Sequence, residues 1–222
     1  MPEPTEGPDA VRRVADVSRE TLDALNRYAD LLRRWQRTTQ LVAPSTLPHL
    51  WWRHMADSAQ LLALAPGARR WADLGSGGGF PGVVIAICSI GVEGALVHLI
   101  ESNARKCAFL RAVIRETGAP ARVHDARVEA VLPSIAHDLD VVTSRALAPL
   151  PELLRLAAPA LRAGVIGLFI KGEDARRELT AAERIWNMRA ELLPSLTDPK
   201  AAIIRIQDLG TPESGGPSER HS

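Results

Sequence analysis

The sequence predicts an α/β fold, a doubly wound and mostly parallel sheet, preceded by a helical N-terminal extension. Three observations carry that expectation. From Trp71 onward, short apolar runs of strand length alternate with amphipathic segments of helix length, the pattern of βα units. The stretch Gly75-Ser76-Gly77-Gly78-Gly79 separates the first such strand from an apolar helical run, which gives the order strand, tight turn, helix. Ahead of it, residues 16–66 carry a helical period and no strand signal.

The bulk properties fit one domain with a real core. The chain has 222 residues, 46% of them hydrophobic and 24% charged, so it is globular in composition rather than disordered. A formal net charge of +1 provides no overall attraction to a polyanion, and nucleic-acid binding would need a local basic patch. Cys88 and Cys107 are the only cysteines; their spacing matches no metal or redox motif, and they read as buried thiols in a reducing cytoplasm. No metal site is expected. The acidic, proline-rich start is no signal peptide, and no apolar run reaches the length of a membrane span.

Taken in order, residues 1–15 read as a disordered tail and 16–66 as the helical extension. Leu22, Leu25, Ala29, Leu32 and Trp35 share one helix face, with Asp16 or Ser18 as its cap. Pro44 and Pro48 interrupt, and a second helix is expected from about Leu50 to Leu64, with Arg53, His54, Asp57 and Ser58 along one edge. That constellation fits either closure over a cofactor or an internally satisfied polar network. The main domain spans 67–209: strands end at Asp73, Ile100, Asp125, Thr143 and Ile170, and helices run over 83–90, 104–117, 128–136, 149–161 and 173–188. Residues 191–195 and 201–207 are expected to form a closing hairpin around Asp198-Pro199, and 210–222 a disordered tail.

The glycine loop fits two cofactor templates. Gly77 to Gly82 satisfies GxGxxG, with Glu101 placed as the ribose acid of a dinucleotide fold. Asp73-Leu74-Gly75-Ser76-Gly77-Gly78-Gly79 satisfies the Asp-x-Gly-x-Gly-x-Gly motif of S-adenosylmethionine (SAM) methyltransferases. An acid two residues before the first glycine suits the cationic amino-acid end of SAM, directly or through water, better than it suits a pyrophosphate. Strand-end topology gathers this loop, Glu101, the stretch Ala126-Arg127-Val128-Glu129 and Thr143-Ser144-Arg145 on one rim.

Between Arg27 and Arg70, seven arginines face two acids, Asp30 and Asp57, with Trp51, Trp52, His49 and His54 interspersed. Guanidinium groups and aromatic rings suit RNA phosphates and bases; a packed helical lid with a solvated face is the other reading. Arg33, Arg34, Arg53 and His54 are the candidate RNA contacts.

On these residues the chain resembles the RsmG family, also called GidB, bacterial methyltransferases of small-subunit ribosomal RNA. The matching stretches are Leu41-Val42, Arg53-His54-x-x-Asp57-Ser58, Asp73 to Gly82, Glu101-Ser102-x-x-Arg105-Lys106-x-x-Phe109-Leu110, Arg127-Val128-Glu129, Ser144-Arg145-Ala146-x-Ala148-Pro149-Leu150 and Lys171-Gly172. The resemblance implies a class I SAM-dependent methyltransferase domain with a Rossmann-like, mostly parallel seven-stranded sheet. It implies SAM as methyl donor and 16S rRNA, free or within the 30S subunit or its precursor, as acceptor. The implied product is 7-methylguanine at rRNA position 527. By the same analogy Gly75, Phe80, Val128, Glu129 and Arg145 fall at SAM-binding positions, and the residue-level reading adds Asp73, Gly77 and Glu101.

The residues agree with that chemistry by what they lack. The end of the fourth strand reads Thr143-Ser144-Arg145-Ala146 rather than the Asn/Asp-Pro-Pro-aromatic motif of amino-group methyltransferases, and neither cysteine lies in a Pro-Cys loop. Guanine N7 has a lone pair and no proton to lose, so it needs positioning and no general base. Arg145 and Lys171 are the candidate catalytic residues, holding the guanine by O6 or a flanking phosphate; a purely structural or cofactor-facing Arg145 is the competing reading. A non-catalytic SAM-binding assembly factor and an NAD-dependent dehydrogenase are the alternative functions. A cytoplasmic monomer with no membrane partner is expected.

Overall fold

The computed structural model describes residues 6–212. Five strands run parallel: β1 (Arg70–Leu74), β2 (Leu96–Glu101), β3 (Ala121–Asp125), β4 (Val141–Arg145) and β5 (Ile166–Lys171). The last two, β6 (Trp186–Pro194) and β7 (Ala202–Pro212), form an antiparallel hairpin, and β7 joins β5 antiparallel. The sheet order is β3-β2-β1-β4-β5-β7-β6. The order reverses between β1 and β4, so the ligand crevice falls at their carboxyl ends.

The extension opens with α1 (Asp9–Arg12), in which Ala10 and Val11 are fully buried. The expected tail is therefore ordered from residue 6: two apolar side chains enter the core, and the Glu6 carboxylate accepts the N–H groups of Trp51 and Trp52 at 3.2 and 3.4 Å. Residues 1–5 and 213–222 of the two expected tails lie outside the described residues. Helix α2 (Arg19–Trp35) starts where Ser18 Oγ accepts the Thr21 N–H at 3.2 Å, one of the two caps expected. Its buried face is Leu22, Leu25, Tyr28, Ala29 and Leu32.

The second helix of the extension is not one helix. Pro44–His49 is 3-10, Trp51–Ala56 makes a wide π turn, α3 (Asp57–Ala59) is a single α turn, and Gln60–Leu64 is 3-10 again. Trp51, Trp52 and Met55 of this stretch are buried, and Asp57 and Gln60 bond the β6–β7 turn. Wide turns of this kind concentrate at functional sites.

Helices α4 (Gly82–Cys88) and α5 (Ala104–Thr117) cover one sheet face together with α2. Asn103 Oδ1 caps α5 by accepting from Arg105 and Lys106, and Gly118 ends it at a φ of 71°. Helices α6 (Val128–Ile135), α7 (Leu150–Leu161) and α8 (Ala175–Glu183) cover the other face. The extension shares one continuous core with α4, α5 and the sheet, so it is a layer of the domain rather than an appended lid.

Two boundaries differ from expectation at the C-terminal end. Helix α8 stops at Glu183, and residues 186–190, expected as helix up to Met188, open β6. Trp186, Met188, Ala190 and Leu192 alternate toward the core, a period of two that outweighs helix propensity once β7 is there to pair. Strand β7 continues to Pro212, which pairs with Trp186, so residues 210–212 belong to the sheet.

Candidate functional site

The loop after β1 is held from three sides. Gly75 and Ser76 donate their N–H groups to the Ile100 carbonyl, and Gly77 donates to Glu101 Oε2 at 2.9 Å. Gly75, Gly77 and Gly79 have φ of 72, 54 and 98°, which a side chain would strain. Gly78 and Gly79 are excluded from carrying a Cβ by the extension itself: it would meet the Leu41 carbonyl oxygen at 2.8 Å and the Tyr28 hydroxyl at 2.7 Å. Tyr28 also donates to the Gly78 carbonyl.

A cleft of about 720 Å³ opens over this loop, bounded by Gly75–Gly78, Phe80, Glu101, Lys106, Ala126–Glu129 and Arg145. It gathers the expected cofactor residues Gly75, Gly77, Phe80, Glu101, Val128, Glu129 and Arg145. The Glu101 carboxylate spends one oxygen on Gly77 and the other on the Asn103 N–H at 2.8 Å, leaving a lone pair on each for a further donor. Asp73 departs from expectation. It is fully buried behind the loop and is not part of the cleft wall; Oδ2 accepts the Gly82 N–H at 3.0 Å, at the start of α4. Burial pushes its carboxyl up to about 7, and Oδ1 has no partner among the described residues. The Glu101 carboxylate, with a free lone pair on each oxygen in the wall of the cleft, fits a ligand that carries a ribose.

Arg145, at the end of β4, joins the extension to the sheet. Its Nη1 donates to the Arg53 carbonyl at 3.0 Å and lies 3.5 Å from Asp57 Oδ2; its Nη2 donates to His54 Nδ1 at 2.6 Å. The guanidinium also sits 5.0 Å from the Phe80 ring centroid. A guanidinium only donates, so His54 Nδ1 is the acceptor and Nε2 carries the hydrogen toward Thr46 Oγ1 at 2.8 Å. Burial, then the Arg145 and Arg53 charges, hold His54 down at about 3. Burial pushes the Asp57 carboxyl up against the pull of Arg145, and its Oδ1 accepts from Thr197 at 2.7 Å and Gln60 at 2.8 Å. Of the two readings of the 53–58 constellation, the satisfied network describes its internal bonding, and it stands at the edge of the cleft.

Lys171, at the end of β5, is buried, with Nζ 2.6 Å from the Ala148 carbonyl and 2.8 Å from Glu178 Oε2. Glu178 also accepts the Leu150 N–H at 2.7 Å. Lys171 thereby pins the β4–α7 loop, where Ala146 takes a φ of 56°.

The candidate RNA contacts separate. Arg33 and Arg34 are exposed on the last turn of α2, with Arg33 3.3 Å from Asp30, and Arg53 is exposed 3.8 Å from Asp198. His54 is buried between Arg145, Thr46 and Phe80, and a neutral, doubly bonded imidazole is no phosphate contact. Trp51 and Trp52 are buried too, with Trp52 Nε1 bonded to the Thr197 carbonyl at 2.7 Å, so neither ring is free to stack on a base.

A second cleft, of about 530 Å³, shares Thr46, His54 and Arg145–Ala148 with the first. Beyond that common wall it is lined by Arg53, Asp57, Lys171, Glu178, Thr197 and Asp198, among others. Its Thr197 and Asp198 side has no signal in the sequence. Trp52, Asp57 and Gln60 hydrogen-bond the turn between β6 and β7, and no local motif announces these contacts.

The sheet order, the reversed β7 and the glycine loop at the end of β1 define a class I methyltransferase fold. Solved structures agree on the fold: a putative O-methyltransferase from Klebsiella pneumoniae superposes with a TM-score of 0.58 at 14% identity over 89% of this chain and 94% of that one. An O-methyltransferase from Bacillus cereus does so with 0.55 at 15% identity, over 90% and 96%. The family model described as rRNA small subunit methyltransferase G matches residues 21–202. A ribosomal RNA small subunit methyltransferase G from Methylorubrum populi is 53% identical over 87% of this chain and 92% of its own length. One from Bradyrhizobium diazoefficiens is 55% identical over 85% and 72%. The chain belongs to the rRNA small subunit methyltransferase G family. Neither a dehydrogenase nor a non-catalytic factor is favoured by these likenesses.

Proposed function

We propose that this protein transfers the methyl group of SAM to N7 of one guanine in 16S rRNA. Bound in the larger cleft, SAM supplies an electrophilic methyl group on its sulfonium. The observation that carries the reading is the pair of clefts meeting at one wall, Thr46, His54 and Arg145–Ala148, with no free general base on it. His54 has both ring nitrogens engaged, and Asp57 is bonded to Thr197, Gln60 and Arg145. An acceptor that must lose a proton finds nowhere on this wall to put it; guanine N7 has none to lose.

The residues act by placement. Glu101 fixes the loop through Gly77 and offers its remaining lone pairs to the ribose hydroxyls. Val128 and Glu129 line the same cleft and would help to hold the cofactor there. Arg145 stands between the clefts with its fork already locked by Arg53, His54 and Asp57, so its positive face meets guanine O6 or a flanking phosphate without reorganisation. Lys171 holds the loop that carries Ala146–Ala148 and acts on the acceptor through that loop. Arg33, Arg34 and Arg53 are exposed cations for the RNA around the target. Isolation of the base in the second cleft requires it to leave its stack.

The test is transfer from labelled SAM to 16S rRNA and to 30S subunits from a strain lacking this enzyme, with the product nucleoside identified by mass. One 7-methylguanosine per rRNA at position 527 is the expected result, and the preferred particle identifies the substrate form. Binding of SAM with no transfer to either substrate would overturn the reading.

A further inference from the structure

We propose that Asp198 reads the N1–H and N2-amino edge of the target guanine and so selects guanine over adenine. The inference rests on the acceptor reading of the second cleft. In a purine, N7 lies on the side opposite N1 and the 2-substituent. If N7 faces the shared wall, the N1 edge faces the part of the second cleft remote from that wall. That edge in guanine is two adjacent donors, which a carboxylate accepts as a pair; in adenine N1 is an acceptor and the 2-amino group is missing.

Three carboxylates line this part of the cleft: Asp57, Glu178 and Asp198. Asp57 is spent on Thr197, Gln60 and Arg145 and is buried. Glu178 has Oε2 committed to Lys171 at 2.8 Å and to the Leu150 N–H at 2.7 Å. Asp198 is the most exposed of the three. Oδ1 accepts the Lys200 N–H at 2.9 Å, which fixes the side chain, and Oδ2 has only the exposed Arg53 at 3.8 Å. Its side chain is 34% exposed, open enough to meet a base.

The position of Asp198 is also built. Its N–H donates to Ser195 Oγ at 3.3 Å, Gln60 bonds Ser195 Oγ and the Leu196 N–H, and Thr197 bonds both Trp52 and Asp57. The extension thus holds the β6–β7 turn against the cleft, and a specificity residue needs such a fixed frame.

The experiment uses 30S subunits reconstituted with 16S rRNA bearing guanine or adenine at the target position. Wild type, Asp198→Asn and Asp198→Ala are compared, with SAM affinity and thermal melting as controls. Asn keeps the oxygen that accepts from Lys200 and replaces the other with a donor, which opposes guanine N1–H and suits adenine N1. The expected result is a guanine rate lower by on the order of tenfold to a hundredfold in both variants, with SAM affinity and melting unchanged. The guanine-over-adenine ratio falls in both, and furthest in Asn. Variants that keep the wild-type guanine rate and ratio would overturn the inference and leave the function reading standing. A wild type that methylates neither substrate would overturn both.

Discussion

Tyr28, in the middle of α2, donates its hydroxyl to the backbone carbonyl of Gly78, fifty residues away in the glycine loop. Both groups are buried, and the same hydroxyl fills the space a side chain at Gly79 would need. The N-terminal extension is therefore part of the cleft wall: Tyr28 of α2 bonds the loop beneath it and Leu41 lies against Gly78. Tyr28→Phe removes the donor and leaves the Gly78 carbonyl buried without it. A stability loss of about 1–3 kcal/mol is expected, with weaker SAM binding, read by urea unfolding and calorimetric titration. Unchanged SAM affinity would show that the loop keeps its shape without α2.

Arg145 is the member of the network whose loss reaches both clefts. Arg145→Ala strips His54, the Arg53 carbonyl and Asp57 of a donor and leaves the Asp57 carboxyl in a buried setting. Removing one partner of a buried pair costs about 3–5 kcal/mol, so part of the lost activity in this variant comes from folding. Arg145→Lys separates the effects. It keeps a charge for Asp57 but cannot reach His54 and Arg53 at once. A folded, SAM-binding protein with turnover reduced about a hundredfold or more is expected; wild-type turnover in Arg145→Lys would remove the guanidinium fork from the mechanism.

The exposed arginines make a different kind of contribution. Arg33 and Arg34 touch no part of either cleft, so replacing both by Gln leaves SAM binding intact. A protein that neutralises one phosphate fewer has a slope of log affinity against log salt shallower by about 0.7–0.9. The double variant is expected to show an RNA salt dependence shallower by up to about twice that, measured by filter binding over a range of salt concentrations. An unchanged slope would place the RNA on another face of the molecule.

The glycine loop, the caps at Ser18 and Asn103, the stop at Gly118 and the βα alternation are legible because each is a local device with a local cause. Glycine spacing, a side-chain acceptor before a helix and apolar periodicity are written in contiguous residues. The departures all depend on partners far along the chain. Residues 186–190 have helix-tolerant composition and become strand by pairing with β7. Residues 51–56 read as apolar and helical, and no contiguous signal announces the π turn there or the bond from Trp52 to the β6–β7 turn. The rim of Glu101, Val128, Glu129 and Arg145 is legible from strand-end topology. The far wall at Thr197 and Asp198 is not, because its place is set by Trp52 and Gln60.

Asp73 ties the stability of the fold to pH. Its folded value, raised to about 7 by burial, lies above the ordinary 3.8 of the unfolded chain. The native state then holds more protons than the unfolded state between those values. Its contribution to stability is full below about 4 and is lost as pH rises through about 7. Asp73→Asn keeps an oxygen for the Gly82 N–H and removes this loss. The variant is expected to be at least as stable as wild type at pH 7.5, and to lose less stability than wild type as pH rises through about 7. Urea midpoints of wild type and Asp73→Asn measured below and above about pH 7 check it: a fall with rising pH is expected in wild type and a smaller one in Asp73→Asn.

The histidines act in the opposite direction. Burial and neighbouring cations hold His54 at about 3 and His98 at about 4 in the folded protein, below the ordinary 6.5. His98 Nδ1 lies 2.9 Å from His124 Nε2, a pairing that needs one unprotonated nitrogen, and His98 Nε2 has no partner among the described residues. The unfolded chain therefore takes up more protons below 6.5, so this stability is complete above that value and is lost as pH falls toward 3 to 4. Between pH 7 and pH 5 the His54 site is expected to cost about 2 kcal/mol, with a further loss at His98, partly offset by Asp73. His54→Asn retains an acceptor for Arg145 and cannot titrate, as His98→Asn does for its own pair. Urea midpoints of wild type and the two variants at pH 7 and pH 5 measure the effect. Each variant is expected to lose less stability on acidification than wild type, and parallel losses in all three would assign the acid sensitivity to other groups.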